Sequence, residues 1–415
     1  MKEVYAEIIT IGDEILYGQI IDTNSQWISA ELDKIGIKTR RKTSVGDQEG
    51  EIINALVEAK DRADIIFLTG GLGPTKDDIT KTTLANYFHT ELALDEGALQ
   101  EVTEYFKKRG RELTDLNWGQ ANLPRNCERI TNKVGSAPGM WFKDEEKIFI
   151  SMPGVPHEMK EMMSNLILPR LQTEFELPHI RHRMLRTIGI GESWLSELIA
   201  DWEDGLPMHI KLAYLPGLGQ VRLRLTGVGT DPVQLESDLD HQIKLVEPII
   251  FQYLFGFDDT NLENSIGHIL SAQGLTLATA ESCTGGFLAH LITSVPGSSN
   301  YFRGSIIAYH NQVKINSLEV KESTLRLHGA VSEATAKAMA EGVRKHLGSD
   351  IGISTTGVAG PGGGTSDKPV GTVWIAYADA TRTIARKLQL GDSREINIKR
   401  SAIHALDLVR QSLAE

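Results

Sequence analysis

Two cysteines in 415 residues are too few for a disulfide framework, and neither Cys127 nor Cys283 has the paired spacing of a thiolate metal knuckle. Cationic charge is also scarce. The chain carries 43 Lys and Arg against 55 Asp and Glu, a net charge of −12, which argues against sequence-independent nucleic-acid binding as its main task. No apolar stretch is long enough to span a bilayer. The strand-like run from Val4 to Ile11 contains Glu7 and ends in Gly12-Asp13-Glu14, unlike the apolar core of a targeting peptide. A cytoplasmic protein without a membrane partner is therefore expected. A phosphate loop of the Walker type is also missing, because no glycine-rich segment ends in Gly-Lys-Ser/Thr.

What is present begins with length, which suggests two to four domains at roughly 150 residues each. From residue 1 to about 170, strand-like and helix-like segments alternate: Val4 to Ile11, Thr23 to Ile35, Lys38 to Val45, Glu49 to Ala59, Asp64 to Thr69. Such alternation predicts an α/β domain with a mostly parallel sheet, whose ligands sit beyond the C-terminal strand ends. Two conspicuous loops fall there. One is Gly12-Asp13-Glu14-Ile15-Leu16-Tyr17-Gly18, followed by Asp22-Thr23-Asn24; the other is Gly70-Gly71-Leu72-Gly73-Pro74-Thr75-Lys76-Asp77-Asp78-Ile79-Thr80.

Three glycines in four positions after a strand make a nest of N–H groups suited to phosphate. Asp77 and Asp78 would repel a bare anion, and a bridging divalent cation resolves that conflict; the alternative is that they complement a helix dipole. Pro153, Gly154 and Pro156 shape a tight loop before a helix from His157 to Phe175, whose Met159, Met162, Met163, Leu166 and Ile167 read as core. Glu158 falls at the start of that helix, near the same ligand edge.

In the last third, Leu275 to Ala280 reads as a buried strand and Phe287, Leu288, Leu291, Ile292 and Val295 as a helix face, so the chain turns sharply at Ser282. Gly285 and Gly286 allow close approach of backbone to ligand, and the helix start offers N–H groups for an oxyanion. Ser282 is then either an N-cap or a nucleophile. A serine needs a base near neutral pH. Tyr309 ends the run from Gly304, and Lys314 follows in a short polar segment, so a desolvated lysine relayed by a phenol can serve. Cys283 is a second candidate nucleophile, with no histidine evident beside it.

The motifs Glu281-Ser282-Cys283-Thr284-Gly285-Gly286, Tyr309 with Lys314, and Thr355-Thr356-Gly357-Val358-Ala359-Gly360-Pro361 resemble the nicotinamide-nucleotide amidohydrolase domain at the C-terminus of CinA proteins, the competence-damage-inducible family. The resemblance implies Ser282 as nucleophile with Tyr309 and Lys314 as activating partners, and no cofactor. Thr284, Gly285, Gly286, Thr356, Gly357, Arg394 and Arg400 are the expected substrate contacts. Gly12-Asp13-Glu14, Gly70 to Thr75, Asp77 to Thr80 and Met152-Pro153-Gly154-Val155-Pro156 are similar to the molybdopterin-binding-like domain of the same family, associated there with metal-dependent ADP-ribose pyrophosphatase activity. Expected substrate contacts are Gly12, Asn24, Gly70, Gly71, Gly73, Thr80, Pro153 and Gly154, with Glu14, Asp77, Asp78 and Glu158 on the divalent metal.

Between these regions the family holds a KH-like α+β domain. Here Gly189-Ile190-Gly191-Glu192 lacks the Gly-x-x-Gly clamp, and acidic residues outnumber basic ones over 176–257, so a spacer or dimerisation element is expected and no nucleic-acid partner. Two strands should flank the hairpin Pro216-Gly217-Leu218-Gly219, and Gly256 to Thr260 reads as a linker. The expected organisation is an N-terminal domain over 1–175, a middle domain over 176–257 and an amidohydrolase domain over 258–415. The expected substrates are nicotinamide mononucleotide and ADP-ribose, handled by a homodimer. A molybdopterin-binding or nucleotidyl-transfer protein, and a non-enzymatic partner in competence or DNA repair, are the alternatives.

Overall fold

A computed structural model describes residues 3–414. The chain packs as two compact units, residues 1–181 with 228–235 and residues 182–227 with 236–415. Among the described residues no helix is long and apolar enough to cross a membrane.

In the first unit, strands β1 (Tyr5–Ile11), β2 (Lys38–Val45) and β3 (Ile65–Thr69) alternate with helices, as the hydrophobic pattern predicts. A separate ribbon pairs β4 (Leu92–Leu94) with β5 (Asn122–Pro124), and β6 (Glu128–Ile130), β7 (Gly139–Asp144) and β8 (Lys147–Met152) complete the main sheet. Its order is β2-β1-β3-β8-β7-β6. The first four strands are mutually parallel, β7 runs antiparallel to β8, and β6 runs antiparallel to β7.

Both faces of this sheet are buried. Ile65 and Phe67 enter the core under the helix Thr23–Lys34, while their neighbours Ile66 and Leu68 enter the core under the helix Glu49–Arg62. Each such side chain contributes about 1.5–3 kcal/mol on burial. Because β2 and β3 lie on opposite sides of β1, the chain reverses its winding there, and the crevice beyond the C-terminal ends of β1 and β3 is the topological place for a ligand.

The helix expected over His157 to Phe175 is interrupted. A π segment, Met163–Ile167, separates Pro156–Met162 from Leu168–Glu174, beside Pro169, which has no N–H to continue the ladder. Its methionines 159, 162 and 163 are buried, as expected.

A four-stranded sheet follows, in the order β10-β11-β9-β12, from β9 (His179–Ile188), β10 (Ile210–Gly217), β11 (Gln220–Gly229) and β12 (Leu254–Phe257), with β10 antiparallel to β11 and β12 antiparallel to β9. The two strands around Pro216 to Gly219 are present. The linker expected at Gly256 to Thr260 is not one: Gly256 and Phe257 pair with Arg186 and Leu185, and Asp258 exchanges hydrogen bonds with the Met184 backbone. Its polar composition serves an edge strand.

The remaining sheet runs β14-β13-β15-β16-β17, from β13 (Leu277–Glu281), β14 (Phe302–Ile307), β15 (Ile351–Gly357), β16 (Thr372–Ala378) and β17 (Thr383–Gln389). The first three strands are parallel and the last two antiparallel. Here too the central strand, β13, has its sequence successors on opposite sides.

Candidate active sites

Where β13 ends, the ladder holds the next residues in place. Ser282 N donates to Thr355 O at 2.9 Å, and Ala308 N donates to Glu281 O at 2.7 Å. Gly285 and Gly286 then turn the chain with φ of 61° and 103°, the left-handed region that favours glycine. The N-cap of the following helix, Phe287–Thr293, is Gly286, and no side chain caps it, so Ser282 is not a helix cap. Its Oγ instead accepts from Lys314 Nζ at 3.2 Å.

Lys314 belongs to the helix Asn311–Leu318, which His310 caps through its ring nitrogen, rather than to an irregular polar segment. Lys314 is 1 % exposed, and its Nζ also donates to Ala308 O at 2.6 Å. Burial pulls its pKa below the ordinary lysine value. The expected relay through Tyr309 is not the arrangement found. That phenol is 60 % exposed, and its one hydrogen bond among the described residues comes from Arg394 Nη2 at 2.9 Å. Arg394 Nη1 donates to Gly360 O at 2.9 Å, which fixes the guanidinium beside the phenol.

Several expected contacts are committed elsewhere. The helix-start N–H groups assigned to an oxyanion are taken by Glu281, a buried carboxylate that accepts from the backbone of Gly286 (2.9 Å), Leu288 (3.1 Å) and Ala289 (2.8 Å). The donors that Glu281 leaves next to Ser282 are the N–H groups of Cys283 and Thr284. The Thr284 hydroxyl lies 2.7 Å from both Glu281 and Thr355, inside this buried network. The Thr356 hydroxyl faces the other side of β15 and donates to Ala330 O at 2.8 Å. Gly357 is required by packing, since a β-carbon would come within 2.6 Å of Val373. Arg400 lies six residues beyond Arg394, on a different helix face, where its charge acts on His404. Cys283 is buried, and burial pushes its thiol up to about 12, far from a thiolate nucleophile.

In the first unit, a cleft of about 510 Å³ opens beyond β1, β2, β3 and β8. It gathers Gly12, Glu14, Asn24, Gly70, Gly71, Gly73, Asp77, Asp78, Pro153, Gly154 and Glu158 from four separate segments. Thr80 is absent from its lining because its hydroxyl is buried and donates to Gly70 O at 3.0 Å. Gly70 lets the ends of β3 and β1 meet: a β-carbon there would fall 2.1 Å from Ile11 O. The N–H groups of Gly12 and Gly70 are used by Val45 and Met152, which leaves Gly71, Leu72 and Gly73 as the loop's donors.

Sequence reasoning missed Asp22, Asp47 and Gln120 in this lining. Asp22 accepts from Thr10 and caps the helix Thr23–Lys34 through Ser25 N. Asp47 follows β2, a strand-end position that could have identified it. Burial, together with Asp13, Glu14 and Asp77 nearby, raises its carboxyl pKa. Gln120 sits in a segment with no motif. Behind the cleft, Lys81 donates to the carbonyls of Gly119 and Gln120 at 3.2 and 3.1 Å, and burial lowers its pKa to about 8 against the opposing pull of Asp78.

Whether these residues suit a divalent cation can be tested on their chemistry. Glu14, Asp22, Asp47, Asp77, Asp78 and Glu158 line the cleft, and among the described residues no Lys, Arg or His does. No three of these carboxylates converge into a protein-only metal cage. One Asp78 oxygen is held by Thr75 N and Oγ1, and one Glu158 oxygen by Asn132 Nδ2 at 2.7 Å. The set fits a magnesium-like ion, which is held by one or two carboxylates and completed by substrate phosphates and water.

Known proteins match in three consecutive stretches: residues 7–173 match the "Probable molybdopterin binding domain", 182–256 the "Damage-inducible protein CinA KH domain", and 259–413 the "CinA C-terminal domain". A CinA-like protein from Cytophaga hutchinsonii is 54% identical over 412 residues, covering 99% of both chains, and one from Flavobacterium psychrophilum is 44% identical over 413 residues, covering 98% of both. The crystal structure of competence/damage inducible protein CihA from Agrobacterium tumefaciens is 35% identical with a TM-score of 0.36, covering 37% of this chain and 94% of that one. With three ordered matches and relatives aligned from end to end, the chain belongs to the CinA family.

Proposed function

We propose that the protein hydrolyses two breakdown products of pyridine nucleotides: the carboxamide of nicotinamide mononucleotide at Ser282, and the diphosphate of ADP-ribose in the N-terminal cleft. The observation that carries the first is the 3.2 Å contact between Ser282 Oγ and a buried Lys314 amine. Burial disfavours the Lys314 ammonium, and the neutral amine is the form that accepts the serine proton.

Ser282 Oγ attacks the amide carbon while Lys314 takes its proton. Collapse of the tetrahedral intermediate breaks the C–N bond, with Lys314 returning the proton to the leaving nitrogen so that ammonia departs. Water attacks the acyl-serine with Lys314 again as base, which restores the hydroxyl and releases nicotinic acid mononucleotide. The N–H groups of Cys283 and Thr284 hold the oxyanion, and Glu281 keeps that turn rigid by satisfying the helix start. Arg394, with Tyr309 oriented against it, supplies the cation for the nucleotide phosphate.

In the N-terminal cleft, Gly71, Leu72 and Gly73 bind phosphate oxygens, and one or two of the carboxylates of Glu14, Asp47 and Asp77, completed by those phosphates and water, would hold a divalent cation. When bound, that ion supplies charge neutralisation and polarisation of the phosphoryl oxygens. The products are AMP and ribose 5-phosphate. The match to a molybdopterin-binding domain over 7–173 favours a second reading, in which the same cleft holds a pterin phosphate. Product analysis with both nucleotides tests the proposal: nicotinic acid mononucleotide with ammonia, and AMP with ribose 5-phosphate, are expected. Adenylylation of a pterin from ATP without ADP-ribose cleavage would favour the second reading.

A further inference from the structure

We propose that Gln120 is a ligand residue of the N-terminal cleft, binding hydroxyl groups of a ribose that flanks the diphosphate; this rests on reading the cleft as a site for ribose-bearing phosphates. Gln120 lines the cleft, is 2 % exposed, and its Oε1 is buried without a hydrogen-bond partner. In the same cleft lining Asn24, 7 % exposed, donates through Nδ2 to Gly154 O at 2.7 Å and Thr69 Oγ1 at 3.1 Å, while its Oδ1 is likewise orphaned. Buried amide oxygens are rarely left unpaired, and two in one cleft wall point to a partner from outside the chain.

The chemistry of that partner follows from what the wall lacks. Phosphate oxygens and the six lining carboxylates only accept hydrogen bonds, so neither can satisfy a second acceptor. A divalent cation can also take an amide oxygen, which diphosphate with magnesium controls for; an organic ligand must bring O–H or N–H groups, and on a nucleoside diphosphate sugar the donors nearest the phosphates are ribose hydroxyls. A hydroxyl both donates and accepts, and a primary amide matches it in either orientation.

Gln120 is also held in place. It follows the short helix Asp115–Gly119, closed by the reciprocal Thr114–Asn117 capping box, and Lys81 Nζ clamps the carbonyls of Gly119 and Gln120. The amide is therefore presented from a fixed backbone.

The test is calorimetric titration of the full chain and of Gln120→Met, a substitution of similar length, with ADP-ribose, AMP, ribose 5-phosphate and inorganic diphosphate, each with magnesium. The expected result is about tenfold weaker binding of ADP-ribose and of at least one ribose monophosphate, with diphosphate unchanged. The melting temperature should not fall, because the amide Oε1 had no partner to lose. Equal weakening for diphosphate would make Gln120 a metal or phosphate residue and overturn the proposal, as would unchanged binding of all four. Ribose-dependent binding without ADP-ribose turnover would defeat the hydrolytic reading while this assignment stands. A wild-type protein that binds neither ribose compound more tightly than diphosphate would defeat the assignment even if ADP-ribose is cleaved.

Discussion

The Ser282 cluster and the N-terminal cleft lie at equivalent places, beyond the C-terminal ends of parallel strands whose central member has its successors on opposite sides. Their electrostatics are opposite. In the C-terminal cluster the carboxylate, Glu281, is buried and accepts three backbone N–H groups, and the amine beside Ser282 Oγ belongs to a buried lysine. In the cleft, six carboxylates face a cavity without a cationic side chain among the described residues. A carboxylate already satisfied by protein donors shapes a turn, whereas carboxylates left facing one another require something from outside. On the proposed reading, that difference, more than fold, is what separates a serine site that needs no metal from a cleft that does.

Replacing Ser282 with Ala should break the comparison on one side only. Ammonia release should fall by about 10⁴-fold or more, ADP-ribose cleavage should be unchanged, and melting should be near normal because Ser282 caps no helix. Cys283→Ala should retain most deamidation; the reverse pattern would move the nucleophile to Cys283.

Lys314→Met should slow deamidation by about a thousandfold. In the wild type the rate should rise with pH through a folded-state pKa below the ordinary lysine value, since the neutral amine is the base. Between those two values the unfolded chain binds the extra proton, so the Lys314 contribution to stability should also rise with pH. A flat pH profile, or one unchanged by Lys314→Met, would remove the lysine from the mechanism.

On the acidic side, Asp77→Asn should lower ADP-ribose turnover by about tenfold to a hundredfold, the usual cost of weakening a metal's surroundings, and leave ammonia release intact. Asp78→Asn separates two roles, because Thr75 already engages that carboxylate. A loss of stability with turnover retained would make it a loop brace. Smallest in activity should be Glu281→Gln, which leaves backbone donors facing an amide and costs about 1–3 kcal/mol of stability, seen as a lower melting temperature, with only a several-fold change in deamidation.

Much of this was legible in the sequence because strand, turn and helix signals coincide at the sites. The alternation through residue 69 matched the observed strands, and the glycine loops and Ser282 fell at strand ends. What could not be read was the direction each side chain takes. Thr284, Thr356 and Thr80 have the residue type of a ligand contact and lie beside or close after glycines, yet each spends its hydroxyl on a neighbour within the protein. Glu281 looked like part of a motif, and only the three-dimensional turn shows it occupying the helix start. Asp47 follows a strand end and could have been read from that position, whereas Gln120 comes from a segment with no motif, and tertiary structure alone brings it to the cleft.

Chelation tests the contrast most directly. Purified protein would be given nicotinamide mononucleotide and ADP-ribose together, with and without a strong divalent chelator, while ammonia and AMP are followed in the same sample. ADP-ribose cleavage should stop and ammonia release should continue at its original rate. Loss of both activities in a protein that still melts normally, or persistence of both, would contradict the division into a metal-requiring cleft and a lysine-driven serine.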